Sequence, residues 1–564
     1  VTFTPTPEQQ AIIDAYLARK NLVIGAYAGT GKTSTLRLLA SANPRIKVLY
    51  IAYNRSAKDD AARSFPVNAR CVTSHGLAYR PMIDMAKRIG GGRMTGLQLA
   101  RVLGILGPAR LTADRVLAPG QLASVVRQTI AKFCYSADEK ITGWHVPSDI
   151  KSLSDPAEIA ALRKIVPPIA QKAWDNDITQ PEAILGSGSP HHPHGRFPVT
   201  HDHYLKAYAL THPHLPGDVI MLDEAQDSNP CVAAMVCEQA RYGTQLIMVG
   251  DQNQAIYGWR GATDAMRDFS QQSGVTVLSL TQSFRFGPAI AEVGNQWLTI
   301  LGVTKPLRGW DKIQDRVGEV ALGQPDAILC RTNAEVIKQA IGLLDKGLKV
   351  AMAGGVGELI ALTRAAEDLK AGRPVEHPEL MGFTTWGQFQ DYVENDPEGQ
   401  DLKVFADLVD SHGTDGLLAI LNRVTSDERK ADVIVSTAHK AKGREWRNVV
   451  IADDFREPKS RDGSEPKIPR TDAMLAYVAV TRAQYVLDPA GLAWVARFLD
   501  ALAGDPDDDP DDDPDPEPET APVPGPATET VAEAGPQGAL FDLAAAGHGR
   551  QLADLVNELA VMSA

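Results

Sequence analysis

The stretch NLVIGAYAGTGKTSTLRLL, residues 21–39, passes from aliphatic residues through a run of small ones into a helix-forming pattern. Leu22, Val23 and Ile24 predict a buried strand, and a helix is expected directly after Lys32 and Thr33. A strand, a glycine loop, Lys-Thr and a helix together make a phosphate cradle, because backbone N–H groups and the helix start both favour anionic oxygens. The full pattern G-x-x-x-x-G-K-[ST] calls for glycine at 26, where this chain has the small Ala26. Ala28, Gly29, Thr30 and Gly31 would line the loop, Lys32 would reach the β- and γ-phosphates, and Thr33 would ligate Mg²⁺. An ordinary glycine-rich turn would share the first part of this pattern, so a second half of the site must decide.

That half is found in GDVIMLDEAQDSNP, residues 217–230. Val219–Leu222 predict a buried strand with Asp223 and Glu224 at its carboxyl end, the edge where open α/β sheets gather ligands. One carboxylate would hold the metal and the next would orient or deprotonate the attacking water. With Lys32 upstream, this pair predicts an NTP hydrolase. A further strand in TQLIMVGDQNQAIYGWRGA, from Thr244, delivers Gln254 as a reporter of the γ-phosphate. Tyr257 and Trp259 follow, and Trp259 beside Arg260 would form a platform for a nucleobase. The competing reading makes Trp259 a core residue.

Bulk composition is consistent with this chemistry and does not select a partner. A chain of 564 residues with 44% hydrophobic content accommodates several α/β domains. No apolar run is long enough for a transmembrane span, and VTFTPTPEQQ lacks the basic and apolar regions of a secretory leader. The five scattered cysteines suit a reduced compartment, so a cytoplasmic location is expected. The net charge is −13, but residues 504–535 hold 12 acidic residues and no Lys or Arg; without them, 57 basic residues face 58 acidic ones. A near-neutral body of this kind can still carry a basic groove. The acidic Pro-rich segment is expected to be a disordered linker. After it, residues 536–564 turn apolar again, with Leu552, Leu555, Val556, Leu559 and Met562 on one helical face.

These motifs, in this order, resemble those of the superfamily 1A DNA helicases of the UvrD/Rep type, most closely the helicase region of F-box DNA helicases, with no F-box segment recognised. The likeness runs from about residue 5 to 490 and implies ATP, Mg²⁺ and both single-stranded and duplex DNA. PEQQAII resembles the adenine-reading motif, with Gln9 as first candidate and Gln10 as second. AYAGTGKT is similar to the family's phosphate loop, in which alanine at the first position is usual. QSFRF would place Phe284 on the adenine and Arg285 as an arginine finger. AYVAVTRAQ offers Arg482 as a second finger, and STAHKAKGREWRNVVIADDF supplies Gly443 and, near the ribose, Glu445. Ser34 stands where many relatives carry an arginine, for which Arg37 is a substitute one turn later. Arg444 stands where leucine is commoner. LYIAYNRSAKDDA and CVTSHGLAY resemble strand-lining segments, so Tyr53, Trp259 and Tyr257 would stack bases. Thr73, His75, Thr437 and His439 would bind DNA phosphates or relay the nucleotide state.

The expected architecture is α/β, with two RecA-like P-loop NTPase domains, helical insertions and the acidic linker. The first motor domain is drawn from 1–80 and 201–270, with an insertion at 81–200. The second is drawn from 271–355 and 431–500, with a short insertion at 356–430. The expected activity is 3′→5′ movement on single-stranded DNA with duplex unwinding; a clamp-tethered adaptor or protein-stripping translocase with weak unwinding is the alternative. Seven of the 13 histidines fall between 191 and 214, in irregular spacing that reads as a surface loop and adjoining segment rather than a metal site. In the tail, Gln537, Leu540 and Phe541 form a Q-x-x-L-F arrangement resembling the peptide by which bacterial proteins bind the sliding clamp. The same apolar residues would equally suit packing onto the body.

Overall fold

The computed structural model describes residues 4–89, 94–113, 115–148, 155–180, 195–256, 265–320, 326–375, 377, 379–380, 383–395, 400–459 and 466–503. Every described residue belongs to the unit Val1–Gly504. The acidic linker and the tail peptide lie outside the described residues. Among the described residues no helix is long and apolar enough to cross a membrane.

The strands, in chain order, are β1 Asn21–Ala26, β2 Val48–Ala52, β3 Ala69–Thr73, β4 Ala109–Arg110, β5 Val116–Leu117, β6 Val219–Leu222, β7 Gln245–Gly250 and β8 Val275–Leu280, followed by β9 Arg316–Val317, β10 Ala327–Cys330, β11 Val350–Met352, β12 Val433–Thr437, β13 Trp446–Ile451 and β14 Ala483–Asp488. They form two six-stranded sheets, β3-β2-β6-β7-β1-β8 and β11-β12-β10-β13-β14-β9, and one small hairpin of β4 and β5. Every named pairing within the two large sheets is parallel. The chain is therefore an α/β protein.

Parallel strands covered on both faces read as continuous apolar runs, and β2, β6 and β7 are buried throughout. The two-residue alternation then assigns faces. Leu22 and Ile24 join a core with Ile12 and Tyr16 of helix Pro7–Leu17 and with Leu36 and Leu39 of helix Lys32–Ala42. Val23, between them, joins the opposite core with Phe133 of helix Pro119–Tyr135 and Leu162 of helix Pro156–Ala173. The helices from 96 to 173 thus share a core with the first sheet instead of enclosing one of their own.

The second sheet is built alike. Ile328, Cys330 and Val435 face helices Asn333–Asp345, Gly357–Lys370 and Gln400–Leu421. Leu329, Val449 and Leu487 face helices Pro288–Ile300 and Arg470–Val480.

One boundary expected from sequence is corrected. β8 pairs with β1 along all six of its residues, so the first sheet runs to Leu280 and does not end near residue 270. Nothing in VTVLSL marks which of two parallel sheets it joins; the choice is made by the free edge of β1.

Candidate active site

The loops that follow β1, β6 and β7 leave the same carboxyl edge, and these strands lie side by side in the order β6-β7-β1. Adjacency brings together what the sequence separates by about 200 residues. Lys32 Nζ forms a 2.7 Å ion pair with Glu224 Oε1. Thr33 Oγ1 lies 3.5 Å from Asp223 Oδ2, which also accepts a 2.5 Å hydrogen bond from the Tyr50 hydroxyl at the middle of β2. Gly29 and Gly31 have φ of +74° and +77°, the left-handed region that favours glycine. A Cβ on Gly29 would also stand 2.5 Å from Ser283 Oγ and 2.6 Å from Arg285 Cβ. The loop is a cradle that only glycine leaves open at that point.

Glu224 itself has φ of +49°, uncommon for a residue with a side chain. Its carboxylate is held on the other side by Gln226, whose Nε2 donates to Glu224 Oε2 at 2.5 Å. Gln226 Oε1 accepts from the Asp251 N–H at 3.1 Å, tying the β6 loop to the β7 loop. Asp251 Oδ2 in turn accepts from Gln254 Nε2 at 2.7 Å.

The electrostatics follow from burial. Removal from water and the neighbouring Glu224 charge push Asp223 up to about 6. Burial would raise Glu224 as well, but Lys32 and Lys442, with the Lys32 and Gln226 hydrogen bonds, hold it down at about 2. Burial pulls Lys32 down, and the Glu224, Asp251 and Asp223 charges more than reverse it. Thr33 and Asp223 fit a Mg²⁺ site of the kind in which protein supplies one or two oxygens. Among the described residues no group of three or more His, Cys, Asp or Glu stands together as a metal cage.

Beside the cradle, Gln9 is buried, and its Nε2 donates to Thr35 Oγ1 at 3.0 Å. A capping box with Thr6 fixes its position. An ideal Cβ on Gly31 would meet Phe284, Ser34 and Gln9 at 3.8, 3.9 and 4.0 Å, so these three side chains surround one point. Gln10 instead faces outward and pairs with Asp14. Phe284 is anchored by its N–H, which donates to the Gly29 carbonyl at 2.8 Å, and its ring meets Trp310 edge-on. Arg37 is half-buried one turn along the helix from Ser34.

The second half of the chain closes the site. Arg482 is fully buried, and its Nη2 donates to Gln254 Oε1 at 3.1 Å. Burial, aided by the Arg285 charge, lowers it to about 9. Arg285 Nε is paired with Glu445 Oε2 at 2.6 Å, and its Nη1 donates to the Thr481 carbonyl at 3.0 Å. The Tyr477 hydroxyl accepts from the Ala28 N–H at 3.3 Å, so one amide of the cradle is already engaged across the halves. Gly443 turns the chain at φ +79° between Lys442 and Arg444. Arg444, for which the sequence offered no consequence, pairs with Glu428 at 2.5 Å and so ties this turn to the segment before β12.

The residues expected to meet DNA occupy related positions in both sheets. Tyr53 is exposed just after β2. Thr73 ends β3 and Thr437 ends β12, and each hydroxyl caps the short helix that follows. His75 Nε2 lies 3.0 Å from Asp202 Oδ1. His439 is lowered by burial and by Arg331, and with Ile256, Arg331 and Asp472 it lines a cavity of about 140 Å³. Tyr257 and Trp259 lie outside the described residues, as do His191, His192 and His194. Of the other clustered histidines, His203 is buried and bonded to the Thr200 N–H, and His212 pairs with Glu238.

Tyr50, Gln226, Asp227, Asp251, Lys442 and Tyr477 were not singled out from sequence, although each lies in or beside a quoted motif. Their signal is a polar group in an otherwise apolar or glycine-rich run, which acquires meaning only when its partner is known.

A glycine-rich loop at the carboxyl edge of one parallel sheet, approached by Arg285 and Arg482 from the second half of the chain, marks an α/β protein whose two sheets contribute to one cleft. Residues 213–272 match the UvrD/REP helicase N-terminal domain and residues 388–488 the UvrD-like helicase C-terminal domain. The chain thus carries both the N-terminal and the C-terminal domain matches of the UvrD-like helicases. It is 30% identical over 517 residues to F-box DNA helicase protein 1 of Schizosaccharomyces pombe, covering 85% of this chain and 56% of that protein. It is 29% identical over 520 residues to F-box DNA helicase 1 of Gallus gallus, covering 86% and 48%. A shorter match, 35% over 85 residues, is to the mitochondrial ATP-dependent DNA helicase HMI1 of Saccharomyces cerevisiae, covering 14% of this chain and 12% of that one. The chain spans about half the length of the two F-box helicases it matches.

The contact between the β6 and β7 loops makes a sharp test. A Cβ on Gly250 would collide with Gln226 Oε1 and sit 2.8 Å from Met266 Sδ. Gly250→Ala is expected to lower unfolding stability by about 1–3 kcal/mol, read as a shift in the denaturation midpoint.

Proposed function

We propose that the chain is an ATP-driven DNA motor with two RecA-like halves, moving 3′→5′ on single-stranded DNA and opening duplexes during repair, recombination or replication. The observation that carries this reading is the meeting of Lys32, Thr33, Asp223, Glu224 and Gln254 with Arg285 and Arg482 at one cleft. The polarity rests on family likeness alone.

In this reading Lys32 exchanges Glu224 for the β- and γ-phosphates, which frees the Glu224 carboxylate to activate water. Thr33 and Asp223 hold Mg²⁺, which supplies positive charge to the phosphate oxygens when bound. Gln254 senses the γ-phosphate, and Arg285 and Arg482 neutralise developing charge as the halves close. Gln9, Ser34, Phe284, Gly443 and Glu445 hold the adenosine, with Ala28 to Gly31 around the phosphates. Tyr53, Tyr257 and Trp259 stack bases, while Thr73, His75, Thr437 and His439 meet the backbone or relay the nucleotide state. The protein would work at the nucleoid in the cytoplasm.

ATP hydrolysis with and without single-stranded DNA, and displacement from 3′- and 5′-tailed duplexes, tests the whole reading. Lys32→Ala is expected to abolish turnover. Glu224→Gln is expected to retain ATP binding while hydrolysis falls by about 10²-fold or more; substantial turnover would remove Glu224 as the base.

Trp259→Ala is expected to spare basal hydrolysis and impair DNA stimulation and unwinding, since one base–aromatic stack contributes about 1–3 kcal/mol. Wild-type stimulation in that variant would make Trp259 a core residue.

The Q-x-x-L-F peptide supports docking on a sliding clamp, with the acidic segment as tether. A peptide spanning 534–546 is expected to bind the host clamp, and its Leu540→Ala/Phe541→Ala version is not; equal behaviour of the two would rule the docking out.

A further inference from the structure

Lys442 lies in the turn after helix Ala438–Ala441, which follows β12 of the second sheet. Its Nζ nevertheless reaches the first sheet's loops. It lies 2.7 Å from Asp227 Oδ1 and 2.6 Å from Asp227 Oδ2, and it donates a short hydrogen bond to the Gln254 carbonyl. The pair is deeply buried, with side-chain exposures of 8% and 1%. Two routes lead from this contact to the reacting groups. Gln226 Nε2 touches Asp227 Oδ2 at 3.3 Å and Glu224 Oε2 at 2.5 Å. The Gln254 side chain meets Arg482 at 3.1 Å, while its carbonyl meets Lys442.

We propose that Lys442 is a positioning residue through which closure of the two halves governs ATP turnover: it seats the Glu224–Asp227 turn and the Gln254 turn only when the second sheet is docked against them. This rests on the ATPase reading above and adds its regulation. When the halves separate, Lys442 leaves both turns together, so Glu224 loses its Gln226-mediated support as Gln254 loses Arg482. Water activation and phosphate sensing are then released by one movement. Lys442 touches neither substrate nor metal in this scheme and acts through its neighbours.

A buried ion pair replaced on both sides by apolar residues often preserves stability, whereas loss of one partner strands the other charge. That difference separates positioning from mere structural support. The experiment compares the full chain with Lys442→Met and Lys442→Met/Asp227→Leu, measuring thermal unfolding, affinity for a fluorescent ATP analogue, and kcat and KM for ATP with single-stranded DNA. The double variant is expected to unfold near the wild-type temperature and to bind the analogue within about threefold of wild type. Its kcat is expected to fall about tenfold or more, since a small displacement of reacting groups suffices for that, with KM little changed. Restoration of kcat in the double variant, or wild-type kcat in Lys442→Met, would overturn the proposal, as would a loss confined to nucleotide affinity. Absence of ATP hydrolysis by the wild-type chain would instead refute the ATPase reading itself.

Discussion

Lys32 stands among the buried carboxylates Asp223 and Asp251 and the half-buried Glu224, and the surrounding residues serve to keep that cluster paired where water is largely excluded. Each ion removed from solvent costs several kcal/mol unless a partner and hydrogen bonds compensate. Here the compensation comes from Tyr50 on Asp223, Gln226 on Glu224 and Gln254 on Asp251. These partners come from β2 and from the loops after β6 and β7, so the order of strands in the sheet sets the electrostatics. The parallel arrangement contributes directly, because it delivers all these loops to one edge.

The second sheet supplies the remaining charges. Lys442 and Arg482 enter the first sheet's loops as buried cations, and Tyr477 reaches the cradle itself. The site therefore belongs to neither half. Arg285 provides a contrast: it is held by Glu445 and the Thr481 carbonyl, a pairing made largely within the second half's own surroundings. In the proposed motor, a phosphate arriving between Lys32 and Arg285 competes with two carboxylates, Glu224 for the lysine and Glu445 for the arginine. Such competition links nucleotide binding to rearrangement of both loops without requiring a change in either sheet.

The helices packed on the sheets show how far the expected modular plan carries. Those between 96 and 173 share a continuous core with Val23 and Leu49, and those between 357 and 421 share one with Ile328 and Val435. Segments that interrupt the sheet in sequence thus bear on the same layers that hold the site's loops. Their large buried side chains, Phe133 and Phe389 among them, are part of the scaffold that keeps strand order fixed.

The glycine loop before Lys32, the Asp223-Glu224 pair and Gln254 stood out in the amino-acid sequence because each is a local motif whose residue types and spacing suggest their own chemistry, whereas Arg285 and Arg482 were picked out only through the resemblance to the UvrD/Rep helicases. The strand–loop–helix around Lys32 was legible for the same reason: apolar run, glycines and helix start are neighbours along the chain. Other features needed the tertiary structure. Gln9 and Gln10 are adjacent and chemically identical, and only the packing of helix Pro7–Leu17 turns the first toward the cradle and the second toward Asp14. β8 is a strand by pattern, yet its sheet is settled by the open edge of β1. Tyr50, Asp251 and Lys442 become parts of the site through partners far away in sequence, because pairing of buried charges depends on which strands lie side by side, and a linear pattern does not encode that distance.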